Sequence, residues 1–322
     1  MSVTVVIPLY NGSALIERCL DSVFEQQVAN LEVIVVDDGS TDDSVAIVKN
    51  YPKPIILLQQ QNQGPAAARN KGIEHATGKY IAFLDADDYW LPGFIDRTCR
   101  FLEAHRDVIA VSVGQRHILP GKKEKIIPDY LVSPNGEEPV TPFVIPDFFD
   151  YWNRYNHVCT GSVMMRTATV KTTDGQRTDL RITEDLEFWA LLATYGQWGI
   201  IPEVLFISDG SKVTQQQGWW EKNYKRWASA PSVEEWEKRI KPRLDRDHLM
   251  GYKKARGRIA KNLAYSALLS GRTKLSKDTV IQYSSDFPPD KLSKILQLAS
   301  KNDFTWKVVT KLLVSRERKR KA

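Results

Sequence analysis

No run of about 18 apolar residues occurs anywhere in the 322-residue chain, which excludes a bilayer-spanning helix. The N-terminal "MSVTVVIPLYNG" has neither a charged leader nor a small-residue cleavage site, and its short apolar run is β-branched, so it reads as a first strand and not as a signal peptide. Cysteine is scarce. Cys19, Cys99 and Cys159 are odd in number and far apart, which excludes a disulfide framework and a metal-binding cysteine pattern and fits a reducing cytoplasm. Internal repeats and low-complexity linkers are missing as well. So is the G-x-x-x-x-G-K-[ST] loop that a phosphate-cradling nucleotidyl- or phosphotransferase would normally carry.

What is present is a chain long enough for one large domain and a smaller one, with charge distributed unevenly between them. Residues 1–218 hold 19 Lys+Arg against 28 Asp+Glu, a balance of −9, whereas residues 219–322 hold 26 against 11, a balance of +15. Opposite signs suggest two jobs. The basic part suits phosphates, whether of nucleic acid, lipid headgroups or a lipid-linked substrate; a plain solvated helical surface explains it equally well.

The first hundred residues alternate between strand-like and helix-like runs. "VTVVIPLY" (3–10), "LEVIVVDDGS" (31–40), "PIILLQQ" (54–60) and "KYIAFLDADD" (79–88) read as strands. Between them lie helices over 12–26, from about 42 to 49, and over 64–76, the last opened by Gly-Pro with proline at a tolerated first-turn position. Strands that are apolar throughout and alternate with helices imply an α/β fold, a mainly parallel sheet covered on both faces. Ligands bind such sheets at the carboxyl ends of the strands, and the polar clusters fall there: Tyr10-Asn11, Asp37-Asp38, and Asp85, Asp87 and Asp88. From about 107 to 218 the pattern is less regular, and from Trp219 onward it is almost wholly helical.

Two groups of acids carry the chemistry. The carboxylates of "DADD" cannot share a small volume without cations or protonation to offset their repulsion. Strand alternation would put Asp85 and Asp87 on one face, and hard oxygen ligands suit Mg²⁺ or Mn²⁺ bridging a diphosphate; the alternative is a solvated acidic turn. In "ITEDLEFW", Glu184 and Asp185 fit either a helix's first turn, where acids are favoured, or a catalytic carboxylate at the mouth of a cleft.

Five segments, "VIPLYNG", "VVDDGSTDDS", "NQGPAAARNKG", "FLDADD" and "TED", stand in the order and spacing of the family 2 glycosyltransferases, which the chain resembles over about residues 1–215. That family comprises inverting, nucleotide-sugar-dependent enzymes of the GT-A fold. The resemblance implies a donor half over about 1–106 and an acceptor half over about 107–218. It implies that Pro8, Tyr10 and Asn11 hold the base, that Asp38 accepts a hydrogen bond from uracil N3–H, and that Arg69 faces the nucleotide. It gives Asp85 the ribose and sugar, Asp87 the metal, and Asp88 a supporting part in either role. Asp185 matches the base that takes the acceptor hydroxyl's proton, and Glu184 would orient the acceptor or that base. Many relatives carry a metal- or diphosphate-contacting histidine after this helix; here Asp209 of "FISDGSKVT" takes its place, as a competent Mn²⁺ or Mg²⁺ ligand or as a simple Asp-Gly turn. The processive Q-x-x-R-W pattern is broken, because Gln215 is followed by Gly218 and Trp219. One sugar per encounter is therefore expected.

The implied activity is transfer from a nucleotide-sugar, a UDP-sugar by the uracil contact, to a glycan or lipid-linked acceptor in cell-surface polysaccharide synthesis. The alternatives are a nucleotide-sugar-binding protein without transferase activity and another α/β nucleotidyl- or phosphotransferase. In "DFTWKVVTKLLVSRERKRKA", Phe304, Trp306, Val308, Val309, Leu312 and Leu313 share one broad helical arc. Such a helix either lies peripherally on an anionic membrane, here the inner face, or packs its apolar side on the rest of the fold. Nucleic acid is the weaker partner because no recognised module accompanies the charge.

Overall fold

The computed structural model describes residues 2–132, 140–210, 219–246 and 248–321, apart from the side chains of residues 219, 222, 320 and 321. Gln215 and Gly218 lie outside the described residues. The chain divides into two compact units, one of Met1–Thr178 with Glu184–Val213 and one of Asp179–Thr183 with Thr214–Ala322.

The first unit opens as a β/α alternation: β1 (Ser2–Leu9), α1 (Ile16–Phe24), β2 (Asn30–Asp37), α2 (Ser44–Asn50), β3 (Ile56–Gln59), α3 (Pro65–His75) and β4 (Tyr80–Phe83). It continues with β5 (Tyr89–Trp90), α4 (Phe94–Ala104), β6 (Val108–Ile118), β7 (Lys125–Ile127), β8 (Phe143–Ile145), α5 (Phe148–Tyr155), β9 (Val163–Arg166), α6 (Thr167–Lys171), α7 (Glu184–Leu192) and β10 (Gln197–Asp209). The sheet order is β3-β2-β1-β4-β9-β6-β10-β5, with β7 on β6 and β8 on β10. Strands β1 to β4 pair in parallel, β9 runs antiparallel to both β4 and β6, and β10 is parallel to β6 but antiparallel to β5.

The all-apolar strands are explained by what covers each face. Val3, Val5, Ile7 and Leu9 of β1 join one core with Ile16, Cys19, Leu20 and Val23 of α1 and Phe94, Cys99 and Leu102 of α4. Val6 points the other way, against α3, where a side chain on Gly72 would come within 2.2 Å of a Val6 methyl. Only glycine lets the helix lie that close. On the same sheet, α7 seats Phe188 and Trp189 against Phe83 at the end of β4, with ring centres 6.0 and 6.4 Å away. The fourth strand ends at Phe83 rather than running on to residue 88, so "DADD" forms a turn, closed by the Asp88 N–H on the Asp85 carbonyl at 3.0 Å.

The second unit is helical: α8 (Trp219–Ala228), α9 (Val233–Trp236), α10 (Leu249–Leu269), α11 (Thr273–Tyr283), α12 (Lys291–Ser300) and α13 (Asp303–Lys321). Its core is α10, whose Ile259, Ala260, Leu263, Ala264 and Leu268 are fully buried. Gly257 allows the Asp286 carbonyl against this helix, since a Cβ there would sit 1.8 Å from that oxygen. The adjoining Arg256 bonds Asp286 at 2.5 Å and lies 3.8 Å from Glu237. The apolar arc anticipated for α13 is split. Trp306 and Leu313 are buried, with the Trp306 Nε1 donating to the Thr273 carbonyl at 3.1 Å, whereas Phe304, Val308 and Leu312 are exposed.

Candidate active site

Polar side chains gather at the carboxyl ends of β1, β2 and β4, the edge at which an open α/β sheet takes its ligands. Pro8 is half-buried near the end of β1, and Tyr10 just beyond it is 54% exposed, its ring free to stack. Asn11, with φ of 49°, accepts from the Thr41 N–H at 2.8 Å and donates its own N–H to Ser40 at 3.0 Å, so the loops after β1 and β2 are laced together. Asp42 strengthens the lacing. Its carboxylate accepts from the Ser13 and Ser44 backbone, and although burial works against it, these bonds and the Ser44 hydroxyl hold its pKa down at about 2.

Asp38 is buried and already occupied by protein donors. Its Oδ1 accepts from Gln60 Nε2 and the Gln63 N–H, and its Oδ2 accepts from the Gly64 N–H, each at 2.8 Å. A carboxylate has about four acceptor positions, so one remains, on Oδ2. These bonds also fix the turn that starts α3, where Gly64 has φ of +94° and Pro65 follows.

Arg69 is the centre of the arrangement. It points from α3 into the sheet end, 4% exposed, with Nη2 on Asp85 Oδ1 at 2.6 Å and Nη1 on Gln176 Oε1 at 3.2 Å. Burial alone would lower its pKa, but Asp85 in direct contact, with Asp185 and Glu184 nearby, raises it overall. The guanidinium thus gathers carboxylates from "DADD" and from the start of α7. Asp185 is half-buried in the first turn of α7; burial raises its pKa, Arg69 and the Leu186 N–H oppose that, and the net shift is upward. The acids of "ITEDLEFW" thus begin a helix, as one reading expected, and both act electrostatically on Arg69. Thr183, immediately before them, has φ of +62°, a strained value for a β-branched residue.

The remaining acids are less alike than their spacing suggests. Asp88 is buried and its Oδ1 accepts from the Asp209 N–H at 3.0 Å, clamping the end of β10 to the turn. Burial, with Asp85 and Asp87 beside it, pushes its pKa up to about 8. Asp87 is half-buried and raised too, by burial and then by Asp85, with Arg18 opposing. Asp209 does not stand as a free ligand: its Oδ2 is held by Arg18 of α1, whose other terminal nitrogen donates to the Asp87 carbonyl at 2.6 Å and whose plane covers the Tyr89 ring at 4.6 Å. Strand alternation does not place Asp85 and Asp87, since both lie in the turn.

No group of three or more His, Cys, Asp or Glu among the described residues is arranged as a metal cage. The residues nevertheless fit a divalent ion that arrives with its substrate. Mg²⁺ is usually held by one or two carboxylates plus substrate phosphates and waters, and Asp87, with Asp85 beside it, offers carboxylates whose mutual repulsion a cation would relieve.

Three functional candidates were not apparent from the sequence. Arg18 sits among the acids as described. Asn70 grips Gln176 through two backbone bonds of 2.7 Å, donating to its carbonyl and accepting from its N–H. Gln176 in turn receives Arg69. The one visible signal was the Asp174-Gly175 turn dipeptide, whose φ values of 58° and 70° turn the chain so that Gln176 meets α3.

The chain matches the family model "Glycosyl transferase family 2" over residues 4–172, just over half its length. It is 50% identical over 93 residues to an uncharacterized glycosyltransferase, YibD, of Escherichia coli K12, covering 28% of this chain and 27% of that one. It is 36% identical over 112 residues to the glycosyltransferase GlyA of Streptococcus pneumoniae, 34% of this chain and 16% of the other. These matches therefore span about a quarter or less of the relatives' own length. Among solved structures, Staphylococcus aureus TarS 1–349 in complex with UDP-GlcNAc superposes with a TM-score of 0.65 at 16% identity, covering 99% of this chain and 92% of that one. The mannosyltransferase PcManGT of Pyrobaculum calidifontis, in complex with GDP-Man and Mn²⁺, gives 0.57 at 19% identity, covering 98% and 86%. At such identities the structures establish the fold. The family model, the five motifs and the polar cluster built from them agree, and this chain belongs to glycosyltransferase family 2.

Proposed function

We propose that this protein is an inverting, metal-dependent glycosyltransferase that moves a sugar from a UDP-sugar to a hydroxyl of a glycan or lipid-linked acceptor in cell-surface polysaccharide synthesis. The observation that carries the reading is the gathering of Asp85 and Asp185 around one buried guanidinium, Arg69. A donor-side acid bonded to Arg69 and an acid suited to be a base thus feel the same positive charge.

In this reading the Asp185 carboxylate takes the proton of the acceptor hydroxyl as that oxygen attacks the anomeric carbon. The bond from that carbon to the diphosphate breaks on the far side, and the nucleoside diphosphate leaves with the electron pair. One displacement inverts the anomeric centre. A base whose pKa is raised toward the working pH accepts a proton more effectively than an ordinary aspartate. Glu184 orients the acceptor or the base. Asp87 and Asp85 would hold Mn²⁺ or Mg²⁺, which when bound would neutralise charge on the leaving diphosphate. Asp38 offers its one remaining acceptor position to uracil N3–H, and Tyr10, between Pro8 and Asn11, stacks on the base.

The UDP and UDP-GlcNAc complexes of TarS and the GDP-Man and Mn²⁺ complex of PcManGT lend support to a nucleotide-sugar donor and a divalent ion. The donor half is assigned to about 1–106, the acceptor half to about 107–218, and 219–322 to a separate basic region. No helix among the described residues is long and apolar enough to cross a membrane; the reading includes a cytoplasmic setting with peripheral contact at the inner face.

A screen of UDP- and GDP-sugars scored by nucleoside diphosphate release tests this, run with divalent ion and with excess chelator. Turnover of a UDP-sugar that is lost in chelator and in Asp87→Ala is expected. Full turnover in chelator would remove the metal role, and a guanine donor would remove the Asp38–uracil contact.

A further inference from the structure

Toward its start α13 leaves three large apolar side chains exposed among the described residues, whereas farther on Arg318 covers the Trp220 ring at 5.0 Å. Phe304, Val308 and Leu312 are 74%, 42% and 64% exposed, and they recur at intervals of four residues, which places them along one side of the helix. Lys307 and Lys311 stand exposed on one flank of that stripe and Arg316 on the other, and Lys319 continues the stripe itself beyond Leu312. The same helix is fastened to its unit by the opposite side, where Trp306 and Leu313 are buried. The helix is thus not a core element turned inside out. It has one face for packing and one left over.

The geometry points to this outer face as a docking surface for an anionic bilayer, with Phe304, Val308 and Leu312 entering the acyl boundary and the flanking Lys and Arg side chains lying among acidic headgroups. Three observations select that occupant. Apolar side chains rimmed by basic ones are what an interfacial helix presents. Residues 219–322 carry a balance of +15, complementary to an acidic leaflet and repulsive toward a second copy of the same surface. Nucleic acid would satisfy the charge but leaves an exposed phenylalanine, valine and leucine in a row unexplained. Elsewhere in the unit, exposed Ile281 and Leu298 line a surface groove of about 710 Å³ together with Lys294 and Lys301, so apolar and basic side chains are paired at a second place. The inference does not rest on the reaction assigned to the polar cluster at the sheet end.

The test uses the full chain with vesicles of phosphatidylcholine alone and of equimolar phosphatidylcholine and phosphatidylglycerol, followed by sedimentation at low and raised ionic strength. Binding to the acidic vesicles only is expected, weakened but not abolished by salt, because the apolar contribution is unscreened. Lys307→Glu with Lys311→Glu should weaken it by at least about twenty-fold, since each basic group near an acidic surface is worth about fivefold. Phe304→Ser with Leu312→Ser should weaken it by at least about tenfold through lost burial. Both positions are exposed, so an unchanged melting temperature verifies that the unit remains folded. Absence of binding to acidic vesicles would overturn the inference, as would binding indifferent to Phe304→Ser with Leu312→Ser. A dimer in solution that those two substitutions dissolve would assign the face to a second copy instead.

Discussion

Replacing Arg69 with methionine removes the charge around which the acids gather while keeping a side chain of similar length. Asp85 loses a charge-assisted hydrogen bond of 2.6 Å, a contact of the kind worth about 1.5–3 kcal/mol. Its side chain is 33% exposed, so water replaces part of the loss, and the figure stays below the ~3–5 kcal/mol of a fully buried pair broken on one side. Gln176, 2% exposed, loses the donor to its Oε1, and an unsatisfied buried polar atom costs about 1–3 kcal/mol. Together these give roughly 2–4 kcal/mol, a drop in melting temperature of roughly 3–6 °C for a chain of this size. The functional signature is the pH profile. Arg69 lowers the pKa of Asp185 against the upward pull of burial; without it that pKa climbs further, and the acid limb of kcat moves to higher pH. Arg69→Lys keeps the charge and should leave the limb near its original place, though it forfeits the fork that reaches Gln176. Rates of nucleoside diphosphate release across pH read this out. An Arg69→Met variant with an unmoved acid limb would refute the coupling of Arg69 to Asp185.

The other expectations concern stability. Asp185→Asn should be more stable than the parent at neutral pH: a raised folded-state pKa favours the fold below the ordinary aspartate value and penalises it as pH rises through the raised one, a penalty the amide escapes. The difference should vanish in acid, and melting curves at several pH values would show it. Gly175→Ala combines the left-handed backbone cost of about 1–2 kcal/mol with a Cβ 2.4 Å from Asn70 Oδ1, so both stability and turnover should fall; unaltered thermal unfolding would show that the turn does not hold Gln176. Trp306→Ala should cost about 3–5 kcal/mol on denaturant unfolding whereas Phe304→Ala stays within about 0.5 kcal/mol, because only the first is buried.

The elements that position the site were legible because they depend on local pattern. β1, β2 and β4 were visible as apolar runs ending in polar residues, and Gly-Pro marked the start of α3. The turn holding Asp85 and Asp87 was misread as strand because apolar character runs on through Leu84 and Ala86. The bond from Arg18 to Asp209 was hidden because nothing in the sequence ties residue 209 to residue 18; their meeting depends on β10 pairing with β5, which brings the end of β10 to the turn. Gln176 was hidden for the same reason, being joined to Asn70 across 106 positions. The C-terminal helix was read as one apolar arc, and only packing against Thr273 and its neighbours divides that arc into a buried and an exposed half. Local chemistry was readable, and contacts made across the sheet were not.

The most direct test of the account is sugar transfer by Asp185→Asn with donor and acceptor both present, measured beside donor binding. The amide is nearly isosteric but takes no proton, so transfer should fall by about 10²–10⁴-fold while donor affinity stays close to that of the parent. Near-parental transfer by Asp185→Asn would contradict the account and direct the search for the base to Glu184.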